Sequence, residues 1–349
     1  MFEELLHAWD GEEVALRFDA ASNAWMFVCV HSTVLGPGMG GVRLQRYATP
    51  HDALADGLRL AGAMTLKQAA ADLPFGGGKA VLAVPDIPRG ADRAALFSRY
   101  ADLVNAMGGT YVTAADMNTG QADMDLVGER TAHVLGRSPE RGGSGDPAPS
   151  TARGVFHGIV ATARRRFGSS DLAGKRALVQ GVGAVGFPLA EHLHEAGASV
   201  ILADPNAERV SALAERLGGT LVAPVDVVGT ECEIFAPCAT GGILSAETIP
   251  KLRCSVVAGA ANNQLAAEGA DELVRDAGIL YAPDFVINAG GVIHLAGYET
   301  LGWDEGKMAS RLESIGDTLD EVFDAADRDG VTTDAAARRM ARSRLDAAG

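Results

Sequence analysis

Arg176-Ala177-Leu178-Val179-Gln180-Gly181-Val182-Gly183-Ala184-Val185-Gly186 decides the reading of this 349-residue chain. A short apolar run ends in G-x-G-x-x-G, and a helical pattern follows over 187–196. Each glycine has its own physical task. Gly181 permits a tight turn, Gly183 lets a pyrophosphate approach the backbone, and Gly186 lets the helix pack closely on the strand. The free N–H groups and positive end of that helix then face phosphate. Glycine-rich turns are common, so the surroundings carry the argument. A second apolar run, Ala198-Ser199-Val200-Ile201-Leu202-Ala203, ends in Asp204, eighteen residues beyond Gly186. A carboxylate at that place meets the adenosine ribose of a dinucleotide.

Outward from this unit, the length allows two domains, each with its own core. Hydrophobic content of 47% with 21% charged residues is ordinary for a globular chain. A formal net charge of −15 argues against nucleic acid or an anionic membrane as partner, since both demand basic patches. No uninterrupted apolar stretch would span a bilayer. Met1-Phe2-Glu3-Glu4 lacks the basic region and apolar core of a secretory signal, so the expected compartment is the cytoplasm. Cys29, Cys232, Cys238 and Cys254 show no C-x-x-C or metal spacing and lie in apolar runs, which predicts buried thiols. No metal is expected. The eight histidines form no H-E-x-x-H, and His192 and His194 read as surface residues on different helix faces.

Residues 14–18 and 25–31 read as strands around the turn Ala20-Ala21-Ser22-Asn23. Gly36-Pro37-Gly38-Met39-Gly40-Gly41-Val42-Arg43 reads as a glycine-rich loop. Pro50 opens a helix that reaches about Leu73 and stops at Pro74-Phe75-Gly76-Gly77-Gly78. A buried strand over 79–84, a helix over 93–107 and a strand over 110–113 follow. Residues 136–150, rich in Gly, Pro, Ser and Arg, read as an interdomain loop. After Asp204, strands at Leu221-Val222, Glu233-Ile234-Phe235, 255–258 and Ile279-Leu280-Tyr281 alternate with helices, the rhythm of a doubly wound parallel sheet. Residues 305–347 read as two helices split near Gly330. The expected fold is α/β with two domains and a cleft between them. An N-terminal α/β substrate and oligomerisation domain takes 1–145, joined by C-terminal helices of about 325–349. A Rossmann-type doubly wound parallel sheet takes 146–324.

Ligands of open α/β sheets bind beyond the carboxyl ends of the strands. Lys79, Asp116, Asn262, Asn263 and Asn288 fall there or in glycine-rich loops. The chain has only five lysines, and two of them, Lys67 and Lys79, flank the triple glycine. Burying a lysine is costly unless a partner or a lowered pKa compensates. One such residue alone would read as a snorkelling side chain. Two together point to function: one holds a substrate carboxylate while its field and desolvation turn the other into a base. Asp116 ends a strand before a Thr/Asn turn, as an acid–base group or as an ordinary turn residue. Asp123 and Asp125 read as helix caps or solvated acids. The three asparagine amides suit left-handed loop positions, or an amine and a carboxylate.

Several blocks also carry a resemblance. They are Gly38-Met39-Gly40-Gly41-Val42-Arg43, Met64-Thr65-Leu66-Lys67, Pro74-Phe75-Gly76-Gly77-Gly78-Lys79, Ala115-Asp116-Met117-Asn118-Thr119, Thr151-Ala152-Arg153-Gly154-Val155, the dinucleotide fingerprint, Ala258-Gly259-Ala260-Ala261-Asn262-Asn263, and Tyr281-Ala282-Pro283-Asp284 through Asn288-Ala289-Gly290-Gly291. In this order the chain resembles the amino acid dehydrogenases of the glutamate/leucine/phenylalanine/valine group, in its shorter leucine–phenylalanine–valine branch. The resemblance implies NAD-dependent oxidative deamination of an L-amino acid by a homo-oligomer, reversible as reductive amination of a 2-oxo acid with ammonia. It makes Lys79 the general base, Asp116 the proton relay to the amino group, and Lys67 the ligand of the α-carboxylate. Gly40, Gly41, Asn262 and Asn288 position substrate. Thr151 contacts the nicotinamide amide, and Gly181, Gly183, Ala184, Val185, Gly186, Asp204, Arg209, Cys238, Ala239, Ala260 and Asn262 supply the other cofactor contacts. Ala115 departs from the family pattern without touching the chemistry.

Asp204 favours NAD, because a carboxylate accepts from ribose hydroxyls and repels a 2′-phosphate; Arg209 is the one feature that softens this. The resemblance implies a side-chain pocket walled by Ala114 and Val292, with Met64 flanking the site. The Ala/Val pair resembles leucine-preferring members, whereas phenylalanine-preferring ones tend to carry glycine at the first position. Asp116-Met117-Asn118-Thr119 and His294 resemble some phenylalanine-type relatives, which keeps phenylalanine as the alternative substrate. Met64 and Val292 offer no cation for a glutamate side chain. A non-catalytic NADH-sensing protein on this fold would lack the lysines or the aspartate, and all three are present.

Overall fold

The computed structural model describes residues 2–349. Two compact units emerge. The first runs to Asp146 and adds Leu295–Gly302 and Ala341–Gly349; the second holds Pro147–His294 and Trp303–Met340. The C-terminal stretch expected in the first domain from about 325 is therefore shared, with only its last nine residues in the first unit.

The first unit contains α1 (Phe2–Ala8), β1 (Glu13–Asp19), β2 (Ala24–Ser32), β3 (Gly38–Gln45), α2 (Pro50–Ala70), β4 (Gly76–Ala83), α3 (Gly90–Ala106), β5 (Tyr111–Ala115) and α4 (Gln121–Gly128). Its sheet has the order β1-β2-β4-β3-β5. β2 is antiparallel to β1 and β4, and β3 is parallel to β4 and β5. α2 starts where it does because Thr49 and Asp52 form a reciprocal capping box with Pro50 in the first turn. Alternation along the strands divides the core. Val28, Val42, Ala80 and Leu82 pack with Leu96, Phe97 and Tyr100 of α3. Phe27, Cys29 and Val81 face Leu54, Leu58 and Ala61 of α2. By the same period of two, Gly41, Arg43 and Lys79 belong to the α2 face.

Two expectations are corrected here. Residues 38–43, read as a loop, are the strand β3, enclosed between β4 and β5. Gly76, Gly77 and Gly78, read as a helix stop, are the first three residues of β4. Glycine weakens a strand, so its density in the sequence signals a loop. Here it makes room instead. A Cβ on Gly40 would lie 1.7 Å from the Gly78 carbonyl oxygen, and one on Gly77 would lie 2.0 Å from Thr65 Oγ1.

The second unit opens with α5 (Ala148–Phe167), which begins inside the stretch 136–150 expected to be irregular. Then come β6 (Arg176–Gln180), α6 (Gly186–Glu195), β7 (Ser199–Ala203), α7 (Ala207–Leu217), β8 (Thr220–Leu221), β9 (Ile234–Pro237), β10 (Val256–Val257), α8 (Ala270–Asp276), β11 (Leu280–Tyr281) and α9 (Asp284–Ile287). The chain continues through α10 (Gly290–Glu299), α11 (Glu305–Asp329) and α12 (Thr333–Ala348). All six strands are parallel, in the order β11-β10-β9-β6-β7-β8. This is the doubly wound order of dinucleotide-binding sheets, and it reverses between β6 and β9. Gly330 ends α11 in a left-handed conformation at the expected break.

All four cysteines are free thiols, Cys29 and Cys232 buried and Cys238 and Cys254 half-buried. Burial pushes each up to about 12. Among the described residues no helix is long and apolar enough to cross a membrane, and no cluster of His, Cys, Asp or Glu could hold a metal ion.

Candidate active site

In the first unit the parallel arrangement of β4, β3 and β5 carries Lys79, Arg43 and Asp116 to neighbouring places. Asp116 follows the last residue of β5, and its turn is tied to β3. The Asp116 N–H donates to Thr119 Oγ1 at 2.7 Å, the Thr119 hydroxyl donates to the Val42 carbonyl at 3.0 Å, and Asn118 Nδ2 donates to the Leu44 carbonyl at 2.9 Å. Lys79 Nζ lies 3.0 Å from Asp116 Oδ2, and Arg43 Nε donates to the same oxygen at 3.0 Å. Lys79 is buried. Burial pushes its pKa down and the Arg43 charge pushes the same way, against the opposing pull of Asp116. Burial alone would raise Asp116, but the Lys79 ammonium and the Arg43 guanidinium overrule it and hold the carboxyl at about 2. The pair thus joins a group that rests as a carboxylate to an amine that loses its proton more readily than an exposed lysine.

Lys67 and Met64 are half-buried in the later turns of α2, where Thr65 packs against Gly77 at the start of β4. Gly40 and Gly41 lie on β3 between Gly78 and Asp116, and Ala114 is buried in β5, two residues before the aspartate. The structure thus brings Lys79 and Asp116, both singled out in the sequence, into direct contact.

In the second unit the fingerprint sits at the switch point of the sheet. A Cβ on Gly181 would stand 2.9 Å from Ala239 Cβ, so the loop after β6 meets the Cys238-Ala239 segment after β9. A Cβ on Gly186 would stand 1.8 Å from the Gly181 carbonyl oxygen. Nothing lies within 4 Å of the corresponding point at Gly183, an open cradle at the start of α6 that fits a pyrophosphate. Ala184 is exposed, and Val185 is the half-buried residue before the helix. Asp204, expected only to receive ribose hydroxyls, also closes this loop. Its Oδ2 accepts from the Val182 N–H at 2.8 Å, and its Oδ1 accepts from the Asn206 N–H at 2.8 Å and from Arg209 Nη2 at 2.9 Å. Burial opposes ionisation there, yet these donors hold the carboxyl below its usual range.

Asn288 Nδ2 donates to Asn262 Oδ1 at 2.9 Å and to the Ala260 carbonyl at 3.1 Å, joining three expected site residues. Thr151, in the first turn of α5, is half-buried. Its hydroxyl lies 2.9 Å from where a Gly291 Cβ would be, next to half-buried Val292 at the start of α10.

Residues 19–133 match the profile of the Glu/Leu/Phe/Val dehydrogenase dimerisation domain, and residues 142–207 and 205–348 match that of glutamate/leucine/phenylalanine/valine dehydrogenase. The leucine dehydrogenase of Geobacillus stearothermophilus is 44% identical over 341 residues, 98% of this chain and 92% of that one. The valine dehydrogenase of Streptomyces virginiae is 43% identical, over 98% and 96% of the two chains. The crystal structure of L-tryptophan dehydrogenase from Nostoc punctiforme superposes with a TM-score of 0.84 at 37% identity, covering 100% of this chain and 99% of the other. The chain belongs to the Glu/Leu/Phe/Val dehydrogenase family.

Within this amino acid dehydrogenase, sequence reasoning overlooked a second layer behind the lysine–aspartate pair. Arg43 Nη1 donates to Asp56 Oδ2 at 2.8 Å, and the same carboxylate accepts from Tyr47 Oη and from Arg59 Nη2, each at 2.8 Å. The signal was present: Arg43 is a lone cation at the end of an apolar and glycine run. Reading that run as a loop concealed it.

Proposed function

We propose that this dehydrogenase catalyses NAD-dependent oxidative deamination of branched aliphatic L-amino acids, leucine or valine, and the reverse amination of the 2-oxo acid. The observation that carries the reading is the 3.0 Å pairing of buried Lys79 with Asp116. When bound, the nicotinamide serves as hydride acceptor for the substrate Cα. Lys67 holds the α-carboxylate with its ammonium. Lys79, biased toward its neutral form, takes a proton from the water that attacks the resulting iminium carbon. Asp116, a carboxylate in the resting site, takes a proton from the substrate nitrogen and returns it, passing briefly through its neutral acid, until ammonia leaves. Asn262, oriented by Asn288, and the Gly40/Gly41 backbone position the substrate. Met64 and Ala114 offer the substrate side chain apolar surface with no cation for a second carboxylate, and Val292 supplies none either, which disfavours glutamate. Asp204 selects NAD over NADP by repelling a 2′-phosphate.

The enzyme works as a homo-oligomer through its dimerisation domain. The test is a panel of L-amino acids assayed with NAD and with NADP, following reduced nicotinamide at its absorbance band. Leucine or valine with NAD should give the highest kcat/KM. Phenylalanine in first place would support the alternative drawn from Asp116-Met117-Asn118-Thr119 and His294. Comparable efficiency with both cofactors would remove the role given to Asp204.

A further inference from the structure

The two cations that meet Asp116 use the same oxygen. Lys79 Nζ and Arg43 Nε both lie 3.0 Å from Oδ2, and among the described residues Oδ1 takes no hydrogen bond. Arg43 is half-buried and reaches forward and back at once, with Nε on Asp116 and Nη1 on Asp56. Asp56 is itself fixed from two sides, by Tyr47 and by Arg59 one helical turn along α2. A planar guanidinium bridging two carboxylates has one orientation available to it, which a lysine could not reproduce.

We propose that Arg43 is a positioning residue of this dehydrogenase: anchored on Asp56, it fixes Oδ2 of Asp116 together with Lys79 and reserves Oδ1 as the oxygen that takes the proton from the substrate nitrogen. The carboxylate then cannot rotate to exchange its two oxygens without breaking two charge-assisted hydrogen bonds. The substrate nitrogen meets an acceptor already oriented, and Oδ2 stays with the base.

The charged and titratable groups around this point come from every neighbouring element: Lys79 from β4, Arg43 from β3, Asp56 and Arg59 from α2, Tyr47 from the β3–α2 connection and Tyr111 from β5. Arg43 disfavours the Lys79 ammonium and Asp56 favours it. Removing each charge therefore moves the Lys79 titration in opposite directions, a pattern that a purely structural role would not produce.

The inference rests on the deamination reading for its catalytic meaning, but its test does not require turnover. With only five lysines in the chain, isotope-labelled lysine Cε gives few NMR signals, and the one missing in Lys79→Ala is that of Lys79. In Arg43→Gln the Lys79 midpoint should rise, and in Asp56→Asn it should fall. Arg43→Lys keeps the charge and leaves the midpoint near the wild-type value. By losing the fork, Arg43→Lys should still lower kcat, on the order of tenfold to a hundredfold, with little change in NADH affinity. Midpoints that stay put in both Arg43→Gln and Asp56→Asn overturn the proposal, as does an Arg43→Lys enzyme with wild-type kcat. If Arg43→Gln does not fold, the downward shift in Asp56→Asn decides alone. Wild-type protein that turns over no amino acid would strike the functional reading instead, and leave the titrations to judge the geometry.

Discussion

Gly41→Ala adds a single methyl group to β3 on the face that carries Arg43 and Lys79. Its carbon would stand 2.5 Å from the Ala115 carbonyl oxygen and 2.8 Å from Asp116 Cβ. Comfortable carbon–carbon contact is about 3.5–4.0 Å, so the shortfall at Asp116 is roughly 1 Å. Ala115 is paired with Val42 in the sheet and yields little, whereas Asp116 has left the strand and yields more. The aspartate is therefore what moves. A shift of that size takes Oδ2 out of the 3.0 Å contact with Lys79. Hydrogen bonds of this kind fade beyond about 3.2 Å, so the Lys79–Asp116 contact is broken rather than bent. We expect kcat to fall on the order of a hundredfold. The folded state should lose about 1–3 kcal/mol from overpacking, since the backbone of Gly41 needs no left-handed conformation. NADH affinity, which the proposed function assigns to the second unit, should not change. Steady-state kinetics, a fluorescence titration of NADH and a thermal melt read these three quantities. A stable Gly41→Ala enzyme with wild-type kcat would refute the claim that this missing side chain is the seat of Asp116.

Lys79→Ala should abolish turnover while NADH still binds, and Lys67→Ala should mainly raise KM with some loss of rate; initial rates beside a cofactor titration check both. Ala114→Gly should move the ratio of kcat/KM for leucine over phenylalanine toward phenylalanine, since one methyl in the path of a ring costs on the order of 1–3 kcal/mol. An unmoved ratio would show that Ala114 does not wall the pocket. In the second sheet, Arg176 grips Glu233 through Nε and Nη2 at 3.1 and 2.9 Å, and this holds the carboxyl down to about 2 from an ordinary 4.5. A folded-state value below the unfolded one gives stability that is complete above about 4.5 and fades as pH falls toward 2. The Tm deficit of Glu233→Gln should therefore be present at neutral pH and shrink on acidification, as followed by circular dichroism; a deficit that is constant with pH would assign it to packing.

The strand–helix–strand unit of β6, α6 and β7 was legible because its logic is local. Gly181, Gly183, Gly186 and Asp204 lie within one strand–helix–strand stretch, and each spacing has a single geometric meaning. The helix break at Gly330 was legible for the same reason. β3 was not. Its glycines are demanded by neighbours far along the chain, Gly78 beneath Gly40 and Asp116 beside Gly41, and no local pattern reveals a partner so distant. Arg43 was lost with it, since its contact with Asp116 spans 73 positions. Asp123 shows the limit on a smaller scale. It does cap α4, accepting from the Gly120 N–H at 2.9 Å, yet it is not a solvated acid: its carboxylate is buried against the Arg93 guanidinium.

The sheltered thiols turn this protein into its own stability gauge. With buried Cys29 and Cys232 pushed to about 12, almost no thiolate exists on either at neutral pH, and alkylating reagents must wait for the chain to open around them. Cys29 belongs to the sheet of the first unit, while Cys232 belongs to the second. Modification clocked residue by residue thus reads two local unfolding equilibria in one experiment, with no probe introduced. Any substitution discussed above could be assigned to the half of the molecule it loosens before its kinetics are measured.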